Sequence, residues 1–140
     1  ALVANKKILN TFRDNPTLGH ITTFGGNPVP CAAAAAYCEI LKNDVNLDEV
    51  ERLGSLLVDI LAKHPEIIGY RRVGLMFAFD MKSAELVSKV VQHCLHKGLI
   101  TFWFLSNPKS FRLSPPLTIS EKEINKAGNA IYEAISESIV

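Results

Sequence analysis

At 140 residues, with 48% apolar and 21% charged side chains, the chain has the make-up of one ordinary globular domain. A net charge of +1 with no Lys/Arg-dense segment excludes nucleic-acid binding driven by phosphate neutralisation, and no apolar run reaches membrane-spanning length. Three cysteines, Cys31, Cys38 and Cys94, lack paired spacing and support neither a disulfide framework nor a zinc site, which fits a reducing, cytoplasmic setting. The start, Ala1-Leu2-Val3-Ala4, lacks the flanks of a signal peptide and reads as the interior of a fold, so a fragment of a longer protein is expected.

Lys6 to Phe12 predicts a short connecting helix with Ile8, Leu9 and Phe12 on its apolar stripe, ended by a turn at Asp14-Asn15-Pro16. A hydroxyl-rich and then glycine-rich stretch follows, Thr22-Thr23-Phe24-Gly25-Gly26, and leads into a helix from Pro28 to about Lys42, with Asn27 as its cap. Ala32 to Ala36 have the highest helix propensity available, and Cys31 and Cys38 share one helix face, where they are expected as buried small side chains. Asn46 and Glu49 open another helix, whose Val50, Leu53, Leu57, Ile60 and Leu61 form a stripe ending near His64-Pro65.

The period then changes from helix to strand. Ile67 to Val73 and Leu75 to Met81 read as a β-pair or one bent strand about Gly74, with Leu75, Phe77, Phe79 and Met81 alternating against Met76, Ala78 and Asp80. Ser83 starts a helix with Val87, Val90, Val91, Cys94 and Leu95 inward, and Lys97-Gly98 ends it. Leu99 to Phe104 and Ser110 to Leu113 predict further strands around a turn at Ser106-Asn107-Pro108. Ser120 and Glu123 form a capping box for a last helix carrying Ile124, Ala127, Ile131 and Ile135. The expected class is α+β, with helices packed on a small, mainly antiparallel sheet.

Two constellations carry chemistry. In the turn Thr22 to Gly26, glycines permit close backbone approach, threonines offer donors, and the following helix start is expected to present unpaired N–H groups, all of which suit a phosphate. Arg112 lies between Phe111 and Leu113, so in a strand it faces away from the core and toward a cleft. Glycine pairs before helices are more often plain turns, and such an arginine is more often merely solvated, so each keeps its structural alternative. His93 and His96 lie three apart on one helix without a third ligand nearby, and no metal is expected.

Three ordered segments add to this reading: His20 to Ala36 (H-I-T-T-F-G-G-N-P-V-P-C-A-A-A-A-A), Arg71 to Phe79 (R-R-V-G-L-M-F-A-F) and Phe111 to Ile119 (F-R-L-S-P-P-L-T-I). In order and spacing they resemble the class III aminotransferases, pyridoxal-phosphate enzymes that include ornithine, acetylornithine and 4-aminobutyrate aminotransferases. The resemblance corresponds to the C-terminal third of a member. It implies a fold type I transferase in which residues 1–27 close the large cofactor-binding domain, 28–45 form an interdomain helix and 46–140 form the small domain.

It further implies that Thr23, with Thr22 as a second contact, binds the cofactor phosphate of the neighbouring subunit in a homodimer with shared active sites. By the same carry-over Arg112 meets a substrate carboxylate, the substrates being an amino donor and a 2-oxo acid. Arg72 departs from the pattern, standing where glycine is usual beside Arg71, to which no ligand role falls. The family's catalytic lysine precedes the segment that matches Ala1 to Ala4, so no catalytic residue is assigned here and the fragment alone is expected to be inactive. The alternative is a stand-alone, non-catalytic interaction or small-ligand-binding domain.

Overall fold

The computed structural model describes residues 3–13 and 22–139. The predicted turn at Asp14-Asn15-Pro16 and the start of the first motif, through Ile21, lie outside them. The chain forms two compact units, Ala1–Asn43 and Asp44–Val140.

In the first unit, α1 (Lys6–Leu9) runs into a 3-10 turn at Asn10–Phe12. Asn5 caps α1 by accepting the Lys7 N–H at 2.9 Å. The long helix α2 (Pro28–Asn43) follows, and it buries none of its residues. Cys31 and Cys38 are therefore exposed, contrary to the sequence expectation, because the first unit, taken by itself, gives α2 no core among the described residues.

The second unit is α3 (Leu47–Leu61), the hairpin β1 (Ile67–Val73) and β2 (Met76–Met81), α4 (Ala84–His96), β3 (Phe102–Trp103), β4 (Ser110–Leu113) and α5 (Glu121–Glu137). The strands form one antiparallel sheet in the order β1-β2-β4-β3. The predicted class is the observed one, with α3, α4 and α5 gathered on one face.

Each helix starts where side-chain chemistry supplies a cap. Asn46 accepts the Asp48 and Glu49 N–H groups, Ser83 accepts that of Leu86, and Ser120 and Glu123 complete the reciprocal capping box. The stripes of the three helices then meet one sheet face. Leu53, Leu57 and Leu61 of α3, Val87, Val90 and Cys94 of α4, and Ile124, Ile131 and Ile135 of α5 close over Phe77, Phe79, Met81 and Phe111.

Phe79 is the centre of this core. Its ring lies 5.7 Å from Phe77 and 5.5 Å from Phe111, and none of it reaches solvent. Burial of one such side chain contributes roughly 1.5–3 kcal/mol. Burial also raises the Cys94 thiol to about 11, so it packs as an unreactive hydrophobe.

Two expectations are corrected in detail. Leu95 is 62% exposed, because the buried stripe of α4 runs through Val87, Val90 and Cys94 and Leu95 lies one helical step beyond it. β3 is two residues long rather than six, since the Leu99 N–H is drawn back to the Cys94 carbonyl at 2.8 Å in the cap of α4.

Arg72 has a clear structural use. It crosses to α3, where it donates to Glu51 at 2.8 Å and Ser55 at 2.9 Å, and it also donates to the Gly74 carbonyl at 3.2 Å. Glu51 in turn accepts the Gly74 N–H at 3.0 Å, and Gly74 takes a φ of +54° to turn the hairpin. The approach works only because position 54 lacks a side chain: a Cβ there would lie 2.5 Å from the Gly74 oxygen and 2.7 Å from Arg72. Gly54→Ala is expected to destabilise the domain by about 1–3 kcal/mol, read as a lower urea midpoint at unchanged slope.

His64 is buried beside Tyr132, with ring centroids 4.6 Å apart. Nδ1 accepts the Glu66 N–H at 3.2 Å and Nε2 lies 3.1 Å from the Ser136 hydroxyl, an arrangement that suits the neutral ring. Burial lowers its pKa, outweighing the opposing pull of Glu66. The unfolded chain therefore binds the proton more readily, so this contribution is full above the unfolded value of about 6.5 and is lost as pH falls below it. Stability should drop between pH 7.5 and 5.5, and His64→Gln should flatten that slope in urea melts taken at the two pH values.

Candidate functional site

The outer face of the sheet, opposite the helices, is built by register. One row runs Arg71, Ala78, Arg112, Phe102 across β1, β2, β4 and β3. The neighbouring row brings Gly69, Asp80 and Ser110 together. Strand alternation sends Phe77, Phe79, Phe111 and Leu113 inward, so the residues between them must face out. The predicted outward orientation of Arg112 is observed.

A groove of about 270 Å³ opens on this face. Arg71, Ala78 and Arg112 lie along it, with Val73, Met76 and Phe104 as apolar walls. Ala78 stands between Arg71 and Arg112 in this row, and its methyl group leaves space that a longer side chain would fill.

The arginines on the groove differ in their partners. Arg71 is held by Asp80 in a bidentate pair at 2.5 and 2.9 Å. Asp80 also accepts the Ser110 hydroxyl, which takes the Asn107 amide N–H at 2.7 Å. Burial acts to raise the Asp80 pKa, but the hydrogen bonds from Arg71 and Ser110 outweigh it, and the carboxyl stays below its ordinary value. Arg72 is bound to Glu51. Arg112 has no carboxylate partner among the described residues, and its guanidinium carbon lies 5.2 Å from the centroid of the Phe102 ring.

The Thr22–Gly26 turn belongs to the first unit. The Gly25 N–H donates to the Thr22 carbonyl at 3.1 Å, and Gly26 takes a φ of +77°. A Cβ at position 25 would lie 2.7 Å from the Thr22 hydroxyl oxygen. Thr22 and Thr23 are exposed, and neither hydroxyl has a hydrogen-bond partner among the described residues. The glycine-lined cradle and its two donors fit a phosphate, which presents acceptors only.

The helix start does not add donors, which corrects the sequence expectation. Pro28 and Pro30 have no N–H, the Val29 N–H donates to the Asn27 side chain at 3.0 Å, and that of Cys31 donates to the Asn27 carbonyl at 3.2 Å. The helix start thus adds no free N–H to the two threonine hydroxyls of this turn.

His93 and His96 do not converge on a common point. Their rings are 6.5 Å apart, and His93 Nδ1 lies 3.4 Å from Ser138 and 3.8 Å from Glu137. Sequence reasoning missed Asp80, Ser110 and Phe102. The alternation of β2 placed Asp80 outward, but only the register, with its irregularity between Ile67 and Gly69, brings it to Arg71 and Ser110.

Helices on one sheet face and an arginine-bearing groove on the other define an α+β domain. Residues 1–135 match the family model for aminotransferase class III, and the chain belongs to that family. Its structure is similar to an aminotransferase from Bacillus anthracis (28% identity, TM-score 0.73, 96% of this chain and 34% of that one). It is also similar to the ornithine aminotransferase of Toxoplasma gondii ME49 (31%, 0.70, 83% and 28%). A third likeness is to adenosylmethionine-8-amino-7-oxononanoate aminotransferase from Methanocaldococcus jannaschii (26%, 0.72, 96% and 34%). The chain thus spans about a third of the length of these structures.

Because Asp80 neutralises Arg71, its removal should leave a second unpaired guanidinium beside the groove. Asp80→Asn is expected to lower the thermal midpoint by several degrees, from a loss of about 1–3 kcal/mol. The outcome is checked by calorimetry alongside Ser110→Ala, which keeps the ion pair and should cost less.

Proposed function

We propose that these residues are the C-terminal part of a pyridoxal-phosphate-dependent transferase of fold type I that moves an amino group from an amino donor to a 2-oxo acid. The observation that carries the reading is Arg112, the groove arginine left without a carboxylate of its own. Its planar fork binds a carboxylate bidentately and fixes the direction of the substrate along the groove. The walls formed by Val73, Met76 and Phe104 shield that contact from water on the apolar side of the substrate.

In this reading Thr23, with Thr22 beside it, donates hydroxyl hydrogen bonds to the cofactor phosphate of a partner subunit, so that a homodimer completes each site. Pyridoxal phosphate, when bound, supplies the electron sink that acidifies the substrate Cα–H bond. No lysine lies on the groove, and the 140 residues alone are expected to show no turnover. Residues 1–27, 28–45 and 46–140 correspond to the end of a large domain, an interdomain helix and a small domain. The compact unit Asp44–Val140 supports that last assignment.

A cytoplasmic location belongs to the same proposal. Among the described residues no helix is long and apolar enough to cross a membrane. The test is to express the longest reading frame containing this sequence and measure cofactor uptake and amino transfer to a panel of 2-oxo acids. Arg112→Lys should raise KM for the oxo acid about tenfold or more, equal to about 1.4 kcal/mol, with cofactor uptake unchanged. Thr23→Val should instead weaken cofactor retention. A product that takes up no pyridoxal phosphate would favour the non-catalytic module, and equal KM values in the Arg112 variant would remove the anchor.

A further inference from the structure

We propose that Phe102 is a positioning residue that holds the Arg112 guanidinium with its N–H edge free to receive a carboxylate. This rests on the reading of Arg112 as the substrate anchor. It concerns a residue on the edge strand of the sheet, two residues before the groove wall Phe104.

Arg112 and Phe102 are cross-strand partners, and the guanidinium carbon lies over the ring at 5.2 Å from its centroid. An arginine stem on an open sheet face has many rotamers, and each carboxylate bound would have to select one of them. Asp80 solves that problem for Arg71 and Glu51 for Arg72, each by an ion pair that also occupies the donor edge. An aromatic ring restrains the guanidinium differently. It attracts the cation from the face of the plane and leaves the in-plane N–H groups, the ones a bidentate carboxylate needs, unoccupied.

The ring is itself supported. The Trp103 indole stacks on it with centroids 4.5 Å apart and planes inclined by 13°. Phe102 remains 43% exposed, so its removal opens no cavity in the core and a folded variant is expected.

The experiment follows the Arg112 Nε–Hε signal by NMR in the labelled 140-residue chain, first alone and then titrated with propionate. Wild type should show the upfield displacement of a group over an aromatic face, and the signal should move on titration. Phe102→Leu should abolish the displacement and weaken propionate binding about two- to fivefold, with the backbone spectrum otherwise retained. Phe102→Tyr should restore both.

Unchanged displacement or equal propionate affinity in Phe102→Leu would overturn the positioning role while leaving Arg112 as anchor. Loss of both in the leucine and tyrosine variants alike would also overturn it, since the ring would then act only through packing. A wild-type Arg112 signal that ignores propionate would instead sink the anchor reading, and the positioning role with it.

Discussion

The strict two-residue alternation of β2 is the constraint on which the second unit depends. Phe77, Phe79 and Met81 must face the helices to be dry, and that fixes Met76, Ala78 and Asp80 on the other side. A slip of one residue would exchange the two sets, burying a carboxylate and exposing the stacked rings. Because β2 is central in the sheet, its register aligns both neighbours, and through them the row that holds Arg71 and Arg112. Core packing and the layout of the outer-face arginines are thus two readings of one strand.

Charge pairing divides the structural arginines of the sheet from one without an acid among the described residues. Arg71 and Arg72 are each committed to an acid, one within the sheet and one on α3. Such partly exposed pairs contribute modestly to stability, but they settle where the positive charge is and is not available. Arg112 has no such acid among the described residues, and it lies beside the apolar walls of the groove.

Much of this was legible in the sequence. The caps at Asn46, Ser83 and Ser120, the stripes of α3, α5 and, but for Leu95, α4, and the outward direction of Arg112 follow from local chemistry and periodicity, and these are present. The Arg71–Asp80 pair was not legible, because it depends on a register that includes an irregularity and on residues nine apart. The shortness of β3 escaped for a similar reason, since the α4 cap and strand pairing compete for Leu99. The silent start of α2 is different: Pro28 and Pro30 announced it, as neither can donate.

Arg72 and Gly54 occupy a single space. The guanidinium passes over α3 where a helix normally carries a side chain, and the same gap admits the hairpin carbonyl. The two positions are therefore linked in their packing: an arginine that reaches Glu51 and Ser55 from the hairpin needs bare backbone on α3 beneath it, so the sheet is fastened to the helix through an absence of side chain.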